Sequence, residues 1–156
     1  MKVLYSDQQF FDGLGEAVFL AGPTPRSTDV PSWRPKAIEI LKKHDYSGTV
    51  LVPEHSDWIS GFSYQNQIQW ERVGLSLASS IVFWVPREMK TMPALTTNIE
   101  FGYYMAKTPE KCFYGRPDGA PHTGYLDWLF YNELKNATIH NSLEDVLLDA
   151  INNKRN

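Results

Sequence analysis

Ile81-Val82-Phe83-Trp84-Val85 is apolar at every position and is stopped by Pro86. A strand with one face in water alternates polar and apolar side chains. An unbroken apolar run closed by a proline therefore marks a central strand of a parallel sheet, covered on both faces. Two other runs share this character: Ala17-Val18-Phe19-Leu20, ended by the turn Ala21-Gly22-Pro23, and Thr49-Val50-Leu51-Val52, ended by Pro53. Lys111-Cys112-Phe113-Tyr114 reads as a fourth strand, and Ala137-Thr138-Ile139 as a fifth.

Helical spacing fills the intervals. Trp33, Ala37, Ile38, Ile40 and Leu41 recur at helical intervals behind Ser32, a capping residue type, and Pro35 is tolerated in a first turn. That helix ends near His44. Glu54 to Phe62 reads as a loop, Tyr64 to Ala78 as a helix, Met89 to Leu95 as a loop and Thr97 to Lys107 as a helix. A last helix runs from Leu143 to about Asn152, with Ser142 as cap and Asp145 at the box position. Strands alternating with helices imply parallel βαβ units. The expected fold is α/β: a doubly wound parallel sheet of about five strands with helices on both faces, in one domain spanning residues 1–156. In such sheets ligands bind beyond the carboxyl ends of the strands, so the loops opening at Ala21, Pro53 and Pro86 are the expected site walls.

Composition narrows the partners. A chain that is 42% hydrophobic and 21% charged is built to fold, and a net charge of -3 does not favour broad neutralisation of a nucleic-acid backbone. The single cysteine, Cys112, cannot form an internal disulfide, which fits a reducing compartment. No signal-peptide core or 18-residue apolar run occurs, so the expected setting is cytoplasmic, without membrane contact. There is no GxxxxGK[ST] loop, the GxG at Gly13 to Gly15 precedes a strand instead of following one, and no HExxH or GxSxG is present. No cofactor or metal requirement is read from the sequence.

Thr97-Asn98-Ile99-Glu100-Phe101-Gly102 is the stretch most able to carry chemistry. Locally it matches a capping box, with Thr97 as the cap and Glu100 reaching back to it. A carboxylate in a first helical turn also feels the positive end of the macrodipole, which favours its ionised form. Such a group at the carboxyl edge of a sheet is suited to capture an oxocarbenium-like carbon. Both readings use the same position. Gly102 permits either a close ligand or close helix packing.

Phe19-Leu20-Ala21-Gly22-Pro23-Thr24-Pro25-Arg26, Ser32-Trp33-Arg34, Val52-Pro53-Glu54, Gln69-Trp70-Glu71, Ile81 to Arg87 and Thr97 to Gly102 together resemble the nucleoside 2-deoxyribosyltransferase-like family. The resemblance implies a flavodoxin-like sheet, Glu100 as nucleophile, and the Gly22-Pro23 turn as the loop that approaches the sugar. It implies exchange of bases on 2'-deoxynucleosides through a covalent glycosyl-glutamate intermediate, or hydrolysis when water replaces the incoming base. The small-molecule partners would be a nucleoside or nucleotide and a free base. Members of the family often carry an aspartate shortly before the nucleophile, where this chain offers Glu88. They also tend to have an acidic residue before the third strand, where this chain has Ser79-Ser80.

The remaining expectations concern how substrate is held. Glu71 is the expected proton donor to the departing base, against a solvated helical glutamate as the plain alternative. Glu54 and Glu88 are expected to contact substrate. Arg26, Arg34 and Arg87 lie in or near the loops, where guanidinium groups pair with phosphate in bidentate fashion. Asn98 could bond a sugar hydroxyl. Trp58, Phe62, Tyr64 and Trp70 are candidates to stack on a base, and Trp84 is expected in the core. Tyr125, Trp128, Leu129, Phe130 and Tyr131 make the later segment unusually aromatic, which suits either an interface in a homo-oligomer or packing on the sheet. Two further functions fit the same residues: a hydrolase of nucleoside 5'-monophosphate N-glycosides, and a non-catalytic nucleotide-binding sensor.

Overall fold

The computed structural model describes residues 1–56 and 63–153. Its sheet has five parallel strands: β1 (Lys2–Tyr5), β2 (Ala17–Ala21), β3 (Thr49–Val52), β4 (Ser80–Trp84) and β5 (Cys112–Gly115). They lie in the order β1-β3-β2-β4-β5. Among the described residues the helices are α1 (Arg34–Lys43), α2 (Tyr64–Leu77), α3 (Leu95–Lys107), α4 (Gly124–Glu133) and α5 (Leu143–Asn152). The doubly wound, flavodoxin-like α/β fold expected from the sequence is the fold observed.

Side chains alternate across the sheet and make two cores. Phe19, Leu51, Ile81, Phe83 and Tyr114 face one way and pack with Leu75 of α2, Phe101 and Met105 of α3 and Phe130 of α4. Val18, Leu20, Val50, Val82, Trp84 and Phe113 face the other way, onto α1 and α5. Every residue of β2 and β4 is buried, as a central parallel strand requires. Trp84 is in the core, as expected, at 6% exposure.

Two elements differ from expectation. The fifth strand is β1, at the sheet edge, and Ala137-Thr138-Ile139 is irregular. That later segment reaches β5 through one parallel bridge between Gly115 and His140. His140 donates to Tyr114 O at 3.1 Å and accepts from Arg116 N at 2.9 Å, so it satisfies the β5 edge without building a ladder. Only Leu4 of β1 is fully buried, which is why an edge strand of this length left a weak apolar signal.

Helix starts differ too. Trp33, not Ser32, is the N-cap residue of α1, and the Ser32 hydroxyl accepts from Arg34 N at 3.2 Å from outside the helix. α3 begins two residues earlier than expected, at Leu95. Its cap, Ala94, is left-handed at φ 59° and makes no side-chain capping bond. Thr97 is therefore a buried first-turn residue and Glu100 stands one turn further along, so the capping-box reading does not hold. The Ser142 cap of α5 does hold, accepting from Asp145 N at 3.1 Å.

The order of strands sets the site. From β2 the chain runs through α1 to β3 on one side, while β4 lies on the other and feeds α3 on the opposite face. The carboxyl ends of β2 and β4 thus flank a switch in winding direction, where the loops diverge and leave a crevice.

Candidate active site

Beyond β2 the chain must bend sharply beneath the end of β4. Gly22 adopts φ 148°, and a Cβ placed there would stand 2.2 Å from Trp84 O. Only glycine fits this approach. A Gly22→Ala protein is expected to lose roughly 1–3 kcal/mol of stability, the usual cost of overpacking, read as a lowered urea midpoint with an unchanged slope.

The same loop is held by the start of α1. Arg34, 1% exposed, donates through Nε to Leu20 O at 3.0 Å, through Nη2 to Gly22 O at 2.7 Å, and through Nη1 to Thr24 Oγ1 at 3.0 Å and Glu54 Oε1 at 2.6 Å. Trp33 adds a bond from Nε1 to Pro23 O at 3.1 Å. One buried cation thus ties together the ends of β2 and β3. Its charge is balanced by Glu54, which also accepts from Ser32 Oγ at 2.8 Å. Such burial is tolerable because the charge is paired and its donors are used.

Opposite this loop, α2 and α3 each present one face. Tyr64, Gln67, Ile68 and Glu71 follow helical i, i+3, i+4, i+7 spacing, and on α3 Thr96 and Thr97 stand four and three residues before Glu100, on the same face. With Gly22, Pro23, Thr24, Arg26 and Arg34 they line a cavity of about 220 Å³. Both helical carboxylates open into it.

Their electrostatics follow from burial. Glu100 is pushed up to about 7, first by desolvation and then by the neighbouring Glu71 charge, with Arg34 pulling the other way. Burial also raises Glu71, opposed by a hydrogen bond from Gln67 Nε2 to Glu71 Oε1 at 3.0 Å and by the charge of Arg34. The Glu71 charge thus raises Glu100 in the same crevice, so the two are coupled and the pair keeps a proton below about pH 7. This reverses the sequence reading of Glu100, which placed it at the positive end of the helix and so favoured its ionised form. The helix begins two residues earlier, which leaves Glu100 beyond the first turn, and burial dominates.

The other expected contacts divide. Gly22, Pro23, Arg26 and Tyr64 line the cavity with the two glutamates. The Arg26 guanidinium has no hydrogen-bond or ion-pair partner among the described residues, and its backbone N–H donates to Thr91 O at 3.0 Å. Glu54 stands behind Arg34. Trp70 is buried, donates from Nε1 to Gln8 O at 2.9 Å and stacks on Phe10 at 5.0 Å, pinning the segment after β1. Arg87 and Asn98 bond to each other away from the cavity, and Arg87 also donates to His122 O. They join the starts of α3 and α4. Glu88 is exposed, and its carboxylate accepts from Thr91 Oγ1 and from Thr91 N, both at 2.8 Å, which lowers its pKa. Trp58 and Phe62 lie outside the described residues.

Gln67 and the central role of Arg34 were not anticipated. Their signal was phase: Arg34 shares its helical face with Ala37, Ile38 and Leu41, as Gln67 does with Glu71. Gly102 has open space where a Cβ would stand. On α4, Leu126 and Phe130 pack inward while Tyr125, Trp128 and Tyr131 are exposed, so the aromatic segment supplies both a core face and an outer face. Among the described residues there is no cluster of side chains suited to a metal ion, and no helix long and apolar enough to cross a membrane.

A flavodoxin-like sheet with paired, partly buried glutamates in the crevice at its switch point has the layout of a small-molecule site. The family model described as nucleoside 2-deoxyribosyltransferase-like matches residues 15–118, which include every lining residue named above, and the chain belongs to that family. A search of curated proteins finds no match.

Proposed function

We propose that the protein cleaves the N-glycosidic bond of a nucleoside-type substrate and transfers the 2-deoxyribosyl group to a second base, or to water, through a covalent intermediate on Glu100. The observation that carries this reading is the pair Glu71 and Glu100 facing one crevice, each with its proton affinity raised. The reactive form is the one in which Glu100 is the anion and Glu71 holds the proton. A Glu100 oxygen bonds to the anomeric carbon while the carbon–nitrogen bond breaks, its electron pair moving to the base, which takes the proton from Glu71. An incoming base or water then gives a proton to Glu71, attacks the same carbon and frees Glu100. Two displacements retain configuration.

The test is incubation with a deoxynucleoside and a different free base, both bases being followed by chromatography. Appearance of the exchanged nucleoside, or release of base with water as acceptor, is expected. Absence of both across nucleosides and 5'-nucleotides contradicts the reading.

Arg26 favours a second reading. A cation at the cavity wall with no partner among the described residues suits a 5'-phosphate, which would make the substrate a nucleoside monophosphate. Arg26→Ala is then expected to lower kcat/KM about tenfold or more for a nucleotide, the loss typical of a charged hydrogen bond, and to change a nucleoside little. Equal effects on both would remove that reading.

A further inference from the structure

The crevice does not end at the two glutamates. Between α2 and α3 a second hollow, of about 560 Å³, is lined by Ile68, Leu75, Leu77, Ile99 and Tyr103, and it shares Tyr64, Ile68, Glu71, Thr96 and Glu100 with the first. Glu71 and Glu100 therefore stand at a junction. On one side is a small compartment edged by the Gly22–Thr24 loop, Arg26 and Arg34. On the other is a larger groove whose side chains are mainly aliphatic and aromatic.

A nucleophile that attacks the anomeric carbon sits beside the bond that breaks, so sugar and departing group must extend to opposite sides of it. The polar compartment, with its threonines and arginines, suits hydroxyl groups. The groove suits a flat ring. Its aromatic lining is Tyr64, 74% exposed, Tyr103, 50% exposed, and the buried Tyr104, with Lys107 Nζ 5.4 Å from the Tyr103 ring centre. Lys107 and Arg72 bring positive charge to the groove, and the acidic pair lies at the junction with the first compartment.

Size decides what the flat ring carries. The groove falls within the roughly 300–1,000 Å³ typical of sites for drug-sized ligands, whereas the first compartment is smaller than that range. A bare nucleobase would leave much of the apolar lining in water. We propose that the groove between α2 and α3 is the departing-group subsite, and that it selects N-glycosides whose departing group is an aromatic base bearing an apolar extension. This rests on the glycosyl-transfer reading for its chemistry, but the groove can be tested without turnover.

The experiment is isothermal titration calorimetry of the full chain with adenine and with 6-benzylaminopurine, repeated on Ile99→Trp. Ile99 is 74% exposed, so a larger side chain there fills the groove without entering the core. The extended base is expected to bind the wild type about tenfold or more tightly than adenine, as burial of an added ring predicts. Ile99→Trp is expected to erase most of that preference. Equal binding of the two bases, no binding of either, or an unchanged preference in Ile99→Trp overturns the proposal. So does a wild type that sediments as an oligomer and an Ile99→Asp protein that sediments as a monomer, since a second copy would then occupy the groove. Base exchange without the preference leaves the glycosyl-transfer reading standing and removes the subsite. The preference without exchange on any nucleoside does the reverse.

Discussion

A Glu100→Gln protein is expected to lose base release and base exchange by about ten-thousand-fold or more, the scale on which removal of a nucleophile acts, while remaining folded. The amide is nearly isosteric with the carboxyl group but cannot form the glycosyl ester. Any residual rate would come from binding and from the proton donor. The same substitution should also stabilise the protein above neutral pH, and the sign follows from the raised proton affinity of Glu100. Its folded-state value of about 7 exceeds the ordinary 4.5, so the folded state binds the proton more tightly than the unfolded one. The stability this group contributes is fully present below pH 4.5 and is lost as pH rises through 7. Glu100→Gln should therefore match the wild type near pH 4.5 and exceed it by roughly 1–3 kcal/mol at pH 8. Urea titrations at the two pH values measure the difference. In the active protein kcat/KM should fall along an alkaline limb near 7, where the pair loses the one proton that the reactive form needs.

Replacing Arg34 is expected to have the second largest effect, on fold and activity together. Arg34→Gln leaves Glu54 without its 2.6 Å partner and withdraws the donors to Leu20 O and Gly22 O in a site where the arginine is 1% exposed. Breaking a buried pair by removing one member costs about 3–5 kcal/mol, enough to take much of a small domain's stability. Activity should fall for a separate reason. The Arg34 charge opposes the rise in the proton affinities of Glu100 and Glu71, so its removal moves the alkaline limb of the rate profile to higher pH. Arg34→Lys should keep that limb closer to its wild-type position while still losing stability, because an ammonium carries the charge but not the fork of donors. A variant that melts early with an unmoved pH profile would show that Arg34 acts on the fold alone.

Much of the fold was legible because the central strands are apolar throughout. Runs such as Ile81 to Val85 have few alternatives, and the punctuation at Gly22-Pro23, Pro53 and Pro86 located the strand ends and hence the site walls. β1 was not legible, since an edge strand with one fully buried residue leaves almost no hydrophobic pattern. The site was legible where strand-end position and the family resemblance carried it. They named Glu71 and Glu100, but the residues that tune the two do not announce themselves. Arg34 lies in an apolar stripe and reads as a surface charge until the carbonyls of Leu20 and Gly22 are brought to it. Arg87 and Asn98 show the opposite case. They stand near the right strand end, yet the turn leading into α3 aims them at each other and at the start of α4. Strand-end position identifies the neighbourhood of a site, and only the path of the loop decides which side chains enter it.

The central claim is that Glu100 forms a covalent bond to the sugar. The most direct measurement is mass spectrometry of the intact protein, followed by peptide mapping, after incubation with a 2'-fluoro-substituted deoxynucleoside, whose fluorine slows breakdown of the ester. The account predicts an added mass of one glycosyl group per chain, located on the peptide containing Glu100 and absent from Glu100→Gln. Release of base with no adduct, or an adduct on any other residue, would contradict it.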